Sequence, residues 1–212
     1  MMAKRSVPGL LLAFVLAGCS HPPPVLSLNG RTCDRSPNLA KAAPLAAPGS
    51  SDVSQTVEFQ ATGACLDTES GPALYAAFAL PAATQPYILE VKARDQQAQL
   101  AGGDGYSLPA PHLTLLDAAG KPVRELRAPD FIYRGNGASV LVRLHAEERF
   151  VLIASDPTLV GQKQSRITES MDYHFARLAT WTTGNENQND YVFSHAGTVV
   201  VKLSTVGEAP KS

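Results

Sequence analysis

The chain of 212 residues is poor in charge. Lys, Arg, Asp and Glu together make up 17% of it, and the formal net charge is −1. There is no basic stripe to follow a phosphate backbone, which excludes nucleic acid as the expected partner. Catalytic signatures are also missing: the sequence has no G-x-S-x-G, no H-E-x-x-H, no Walker loop and no G-x-G-x-x-G. No sequence period marks a solenoid or propeller. After the N-terminus no apolar run reaches the roughly 20 residues a membrane-crossing helix needs. There is one Trp and there are only three Cys, an odd number in which each thiol needs its own explanation.

The N-terminus is the most explicit segment. Lys4 and Arg5 precede the apolar run Leu10–Leu16, then the small residues Ala17 and Gly18, then Cys19. Charged, apolar and small regions in that order make a signal peptide over residues 1–18. Leu16-Ala17-Gly18-Cys19 resembles the bacterial lipobox, in which the cysteine thiol accepts a diacylglycerol. The alternative is an ordinary cut near Gly18, which leaves an unpaired exposed thiol in an oxidising compartment. Several acyl chains hold a protein stably on a membrane where one binds marginally. Ser20 rather than Asp follows the cysteine, and by the sorting rule for such lipoproteins this resembles an outer-membrane address, with the domain facing the periplasm or the cell surface.

Removal of the signal leaves Cys33 and Cys65, which are expected to form a disulfide in an oxidising compartment. No C-x-x-C spacing supports a redox pair, and two thiols without neighbouring His make an incomplete zinc site. Residues 19–54 read as a lipidated tether because Pro22-Pro23-Pro24, Pro37, Pro44, Pro48 and Gly49-Ser50-Ser51 interrupt every element.

Residues 55–206 change to the period of two that half-buried strands require. In Tyr87–Arg94 the residues Tyr87, Leu89, Val91 and Ala93 take one face, and Glu90, Lys92 and Arg94 the other. Similar runs occupy Leu74–Leu80, His112–Leu116, Phe131–Arg134, Ser139–Leu144, Phe150–Ala154 and Thr198–Leu203, separated by Gly- and Pro-bearing turns. The expected fold is all-β, an antiparallel β-sandwich of jelly-roll-like type. One or two short helices are expected in the C-terminal half: Asp156 caps and Pro157 opens one reaching about Ser165, and Glu169–Ala179 is a second candidate. Residues 207–212 read as a disordered tail.

Four stretches suggest kinship: Ser70–Ala82, Ala110–Asp117, Phe150–Ser155 and His195–Leu203. In that order they resemble the maltose operon periplasmic protein family, here as a lipoprotein, over about the whole of Val57–Thr205. The resemblance implies an envelope protein linked to maltose or maltodextrin uptake, and it carries over no catalytic residue.

Chemistry-bearing residues are sparse. His145 and Glu147 make half a metal site at most and read as a hairpin end, while Asp172 and His174 lack a nucleophile with a motif of its own. No metal and no cofactor is expected. The segment 171–195 is the unusual one, because Trp181 and Tyr191 flank a polar run containing Asn185 and Asn187. Aromatic faces stack on pyranose rings and side-chain amides read hydroxyls, so Trp181, Asn185, Asn187 and Tyr191 are the candidate ligand contacts. The competing reading makes the two aromatics the lid of the core and the run a loop. Three functions remain: a non-enzymatic lipoprotein that binds carbohydrate or assists its uptake, an accessory or assembly lipoprotein docking on an outer-membrane complex, and, with little support, a hydrolase with a dispersed site.

Overall fold

A computed structural model describes residues 25–48, 54–82, 86–100, 103–133, 137–176 and 179–205, with the side chains of 97–105 and 164–190 outside that description. The expected signal peptide, Cys19 and the expected tail 207–212 lie outside the described residues. Fifteen strands follow one another: β1 (Ala43–Pro44), β2 (Ser54–Phe59), β3 (Cys65–Thr68), β4 (Gly71–Ala79), β5 (Tyr87–Arg94), β6 (Gln96–Leu100), β7 (Gly103–Pro109) and β8 (Pro111–Leu116). The remainder are β9 (Pro122–Leu126), β10 (Ile132–Tyr133), β11 (Gly137–Arg143), β12 (Phe150–Ser155), β13 (Lys163–Ala176), β14 (Ala179–Ser194) and β15 (Gly197–Thr205).

Alternating strands build the first sheet, ordered β10-β11-β5-β15-β2. Tyr87, Leu89, Val91 and Ala93 are buried while Lys92 and Arg94 are exposed, as the period of two requires. β11 and β15 flank β5 and place Val140 and Val201 opposite Val91, and Val142 and Leu203 opposite Leu89. These are the aliphatic cross-strand pairs that stabilise a sheet.

The second sheet, β1-β4-β12-β8-β9 with β3 also on β4, is apolar on both faces. Leu74, Phe78, Leu113, Leu115, Val151 and Ile153 meet the first sheet in one continuous core. On the opposite face, Ala73, Tyr75, Leu116, Leu152 and Ala154 form a smaller cluster covered by Leu39 and Leu66.

That second apolar face explains the N-terminal segment. The Pro-rich stretch expected to be a tether is, over residues 25–48, packed against the sandwich. Leu28 and Leu45 join the main core, the Asn38 amide donates to the Tyr75 hydroxyl at 3.1 Å, and β1 pairs in parallel with β4 at Phe78 and Ala79. The Cys33–Cys65 disulfide (S–S 2.06 Å) clamps this strap beside an isolated bridge between Asp34 and Leu66. Prolines that forbid interior strands are compatible with such an edge-covering segment.

Neither candidate helix is present among the described residues. At Pro157 the cap chemistry is present, since Asp156 Oδ1 accepts from the Thr158 amide and hydroxyl at 2.9 and 2.6 Å. The chain makes only successive turns there and leaves through Gly161 at φ +83°, a conformation that stops a helix. Most of Glu169–Ala179 lies in β13 and the start of β14, and of the expected strand Phe131–Arg134 the pair Ile132–Tyr133 is strand, with Arg134 outside the described residues. Helical turns among the described residues are two three-residue 3-10 pieces, Leu39–Lys41 and Ala128–Asp130.

The registers give the sandwich two ends. At one, β2, β5, β9 and β12 finish while β4, β8, β11 and β15 begin. A third sheet, β13-β14-β7-β6, joins the body at this end through Pro109 and Ser194. At the other end lie the turns Asp117–Lys121 and His145–Glu148.

Candidate functional site

A cleft of about 530 Å³ opens at the end where the third sheet joins, within the range of small-ligand sites. One wall is the short 3-10 piece, held by the Arg127 amide donating to Asp130 Oδ2 at 2.8 Å. The other is the turn after β12, held by Asp156. Tyr133 and Phe193 supply the apolar floor, edge to face with centroids 6.3 Å apart. The Tyr133 hydroxyl donates to the Ala128 carbonyl at 3.2 Å, and burial raises its pKa to about 12, so it stays a neutral phenol.

The polar rim combines donors and acceptors. Arg127 Nη1 stands 4.0 Å from Asp156 Oδ2, and Arg127 Nη2 is 3.3 Å from Glu125 Oε2. Gln162 spends its amide N–H on the Thr158 carbonyl at 2.7 Å, which leaves its side-chain carbonyl as an acceptor. Lys163 completes the rim. The exposed Arg127–Glu125 pair adds little stability, whereas Asp156 is buried under the Arg127 guanidinium.

A buried polar pair lies deeper, at the same end. Ser155 Oγ and His195 Nδ1 are 2.7 Å apart, and the Leu74 amide donates to Ser155 Oγ at 3.0 Å. Burial lowers the His195 pKa. Ser155 is fully buried, so its hydroxyl is satisfied in the core by the Leu74 amide and the imidazole.

The residues singled out from sequence fare unequally. Cys33 and Cys65 are joined. Trp181, Asn185 and Asn187 stand in β14, opposite His174, Ser170 and Thr168 of β13, with side chains outside the described set. The backbone from 182 to 190 is strand rather than loop. Ten residue-to-residue steps of extended chain lead from Trp181 to Tyr191, about 33 Å along the strand, so the two rings do not frame one sugar-sized site. Tyr191 itself is buried, with its ring centroid 5.9 Å from that of Tyr106. His145 Nδ1 and Glu147 Oε1 are 3.6 Å apart on an exposed turn. Among the described residues no group of three His, Cys, Asp or Glu is arranged to hold a metal.

The cleft residues were not singled out from sequence. None of the ligand contacts expected from sequence lines the cleft, whose Arg127, Tyr133, Gln162 and Phe193 come from separate segments. No protein-family model matches the chain, and no curated protein is significantly similar to it.

Proposed function

We propose that the chain is a non-enzymatic outer-membrane lipoprotein, anchored through Cys19, whose sandwich binds carbohydrate in the cleft between Arg127 and Lys163. The observation that carries this reading is the cleft's composition: an aromatic floor from Tyr133 and Phe193 under a rim of guanidinium, carboxylate and amide groups. A pyranose needs an apolar surface for its C–H face and mixed donors and acceptors for its hydroxyls. The resemblance to the maltose operon periplasmic protein family makes a maltodextrin the first ligand to try. Titration of the protein with maltotriose should give a Kd of about micromolar to millimolar, as a shallow site permits. Tyr133→Ala should weaken binding about tenfold or more, roughly the worth of a lost aromatic contact, while circular dichroism shows an intact sandwich. Trp181→Ala reports on the ribbon instead. If it alone removes binding, the ligand sits on β14 and the cleft assignment is wrong. No binding across a broad glycan array refutes the carbohydrate reading.

One observation favours the second reading, a lipoprotein that docks on an outer-membrane complex. β14 pairs with β7 only over Tyr191–Ser194, and β13 pairs only with β14. Residues 165–176 and 179–190 thus form a two-stranded ribbon with no third strand among the described residues, an arrangement of marginal stability alone and a ready edge for another chain. Shortening the ribbon by removing 168–187 should abolish co-purification of an outer-membrane partner under this reading and leave maltotriose binding untouched.

A further inference from the structure

The strap changes what the Cys19 anchor does. If residues 19–54 were free chain, the sandwich could roam far from the bilayer. Instead the chain is fixed to the body from its first described residues. The Leu26 amide donates to Ser194 Oγ at 3.2 Å, Leu28 is buried in the main core, and the Arg31 guanidinium grips the carbonyls of Ala61 and Gly63. Only six residues lead from Cys19 to Val25, and they span at most about 20 Å. Leu26, Ser194 and the Ala61–Gly63 turn all lie at the end of the sandwich where β12 finishes and β15 begins.

We infer that this end of the sandwich is the bilayer-facing surface of the protein, held within about 20 Å of the lipid headgroups. The inference rests on the anchor in the reading above. Its occupant is a phospholipid surface, and the ground for it is the length of the leader and the point where the chain becomes fixed. Two consequences follow from the topology. The cleft opens at the same end, since Phe193 precedes Ser194 and the Asp156 turn follows β12, so ligand is met at the membrane surface. The turns Asp117–Lys121 and His145–Glu148 point away from it.

Energy transfer from the protein to the membrane tests this. The full lipidated chain is reconstituted in phosphatidylethanolamine and phosphatidylglycerol vesicles carrying a headgroup acceptor dye. A ketone-bearing amino acid, which leaves Cys33 and Cys65 untouched, receives a donor at Asn29 in one sample and at Ala119 in another. The six residues of β12 alone set the ends about 20 Å apart, so quenching at 29 should exceed that at 119 by about twofold or more. Inserting a Gly-Ser segment of about 20 residues between Pro24 and Val25, with a root-mean-square reach of about 25 Å, should remove most of the difference. Equal quenching at both positions in the unmodified chain, or stronger quenching at 119, overturns the inference. Failure of the wild type to remain on vesicles overturns it together with the anchor. Maltotriose titration on the same vesicles separates the two proposals: a quenching gradient without saccharide binding removes the carbohydrate reading alone, and saccharide binding without a gradient removes this inference alone.

Discussion

Replacing Cys33 and Cys65 together by alanine tests how strongly the strap is bound to the sandwich. The bridge joins residues 32 apart in sequence. For a loop of that length the chain-entropy relation gives about 12 cal/mol/K, or about 3.7 kcal/mol at 25 °C. That is a large share of the roughly 5–15 kcal/mol by which domains are stable. Native contacts remain in the variant, because the Asp34 amide still donates to the Cys65 position at 3.0 Å and the Asp67 amide to the Asp34 carbonyl at 2.8 Å. The loss is therefore expected to come mainly from a freer unfolded chain. For a domain of this size each kcal/mol moves Tm by about 2–4 °C, so the double variant should melt about 7–15 °C below wild type. Circular dichroism melts of wild type, reduced wild type and the variant are the assay. Reduced wild type and the variant should agree closely. A fall below about 2 °C would show that the strap detaches at little cost and that the loop-entropy account does not apply here.

Three further outcomes are expected. Burial lowers the pKa of His195, so the unfolded chain takes up its proton first as pH falls. Stability should be fully present above about pH 6.5 and decline as pH drops towards the folded value, and the slope of urea midpoint against pH should flatten in His195→Gln. Glu148 is fully buried at its side chain and accepts from Arg124 Nη2 and from the His145 amide, both at 2.8 Å. Arg124→Ala should cost about 2–4 kcal/mol in chemical denaturation, somewhat below the figure for a wholly buried pair because Arg124 is itself one-third exposed. A Cβ added at Gly137 would stand 2.0 Å from the Ala93 carbonyl oxygen, so Gly137→Ala should destabilise by about 2–3 kcal/mol; an unchanged Tm would mean that β5 and β11 separate more easily than their register suggests.

The body of the sandwich was legible because its strands have one buried face. Tyr87–Arg94, Ser139–Leu144 and Thr198–Leu203 alternate in sequence, and they pair side by side as β5, β11 and β15. β13 and β14 were not legible. Their register sets Arg166 opposite Asn189 and Thr168 opposite Asn187, and a run this polar in sequence carries no period-of-two apolar signal. The strap misled for a different reason. Proline spacing reports that a segment cannot sit inside a sheet, and says nothing about whether its leucines cover one. At Pro157 the capping chemistry is present, but a cap marks where a helix can start and Gly161 decides that it does not continue. The cleft was invisible because its walls come from segments about 30 residues apart whose meeting depends on the sheet order.

That sheet order also fixes when the molecule can be completed. β15, the last of the described strands, lies between β5 and β2, and β2 has no other sheet partner among the described residues. The third residue of β15, Val199, faces Val57 on one side and Ala93 on the other. An emerging chain that lacks residues 197–205 therefore leaves β2 unpaired, the β5 edge open and the core without Val199, Val201 and Leu203. Closure links segments some 140 residues apart in sequence, which makes the fold slow by loop-closure entropy and dependent on delivery of its C-terminal strand. Truncation just before Gly197 should thus yield a protease-sensitive, aggregation-prone chain, not a slightly smaller sandwich.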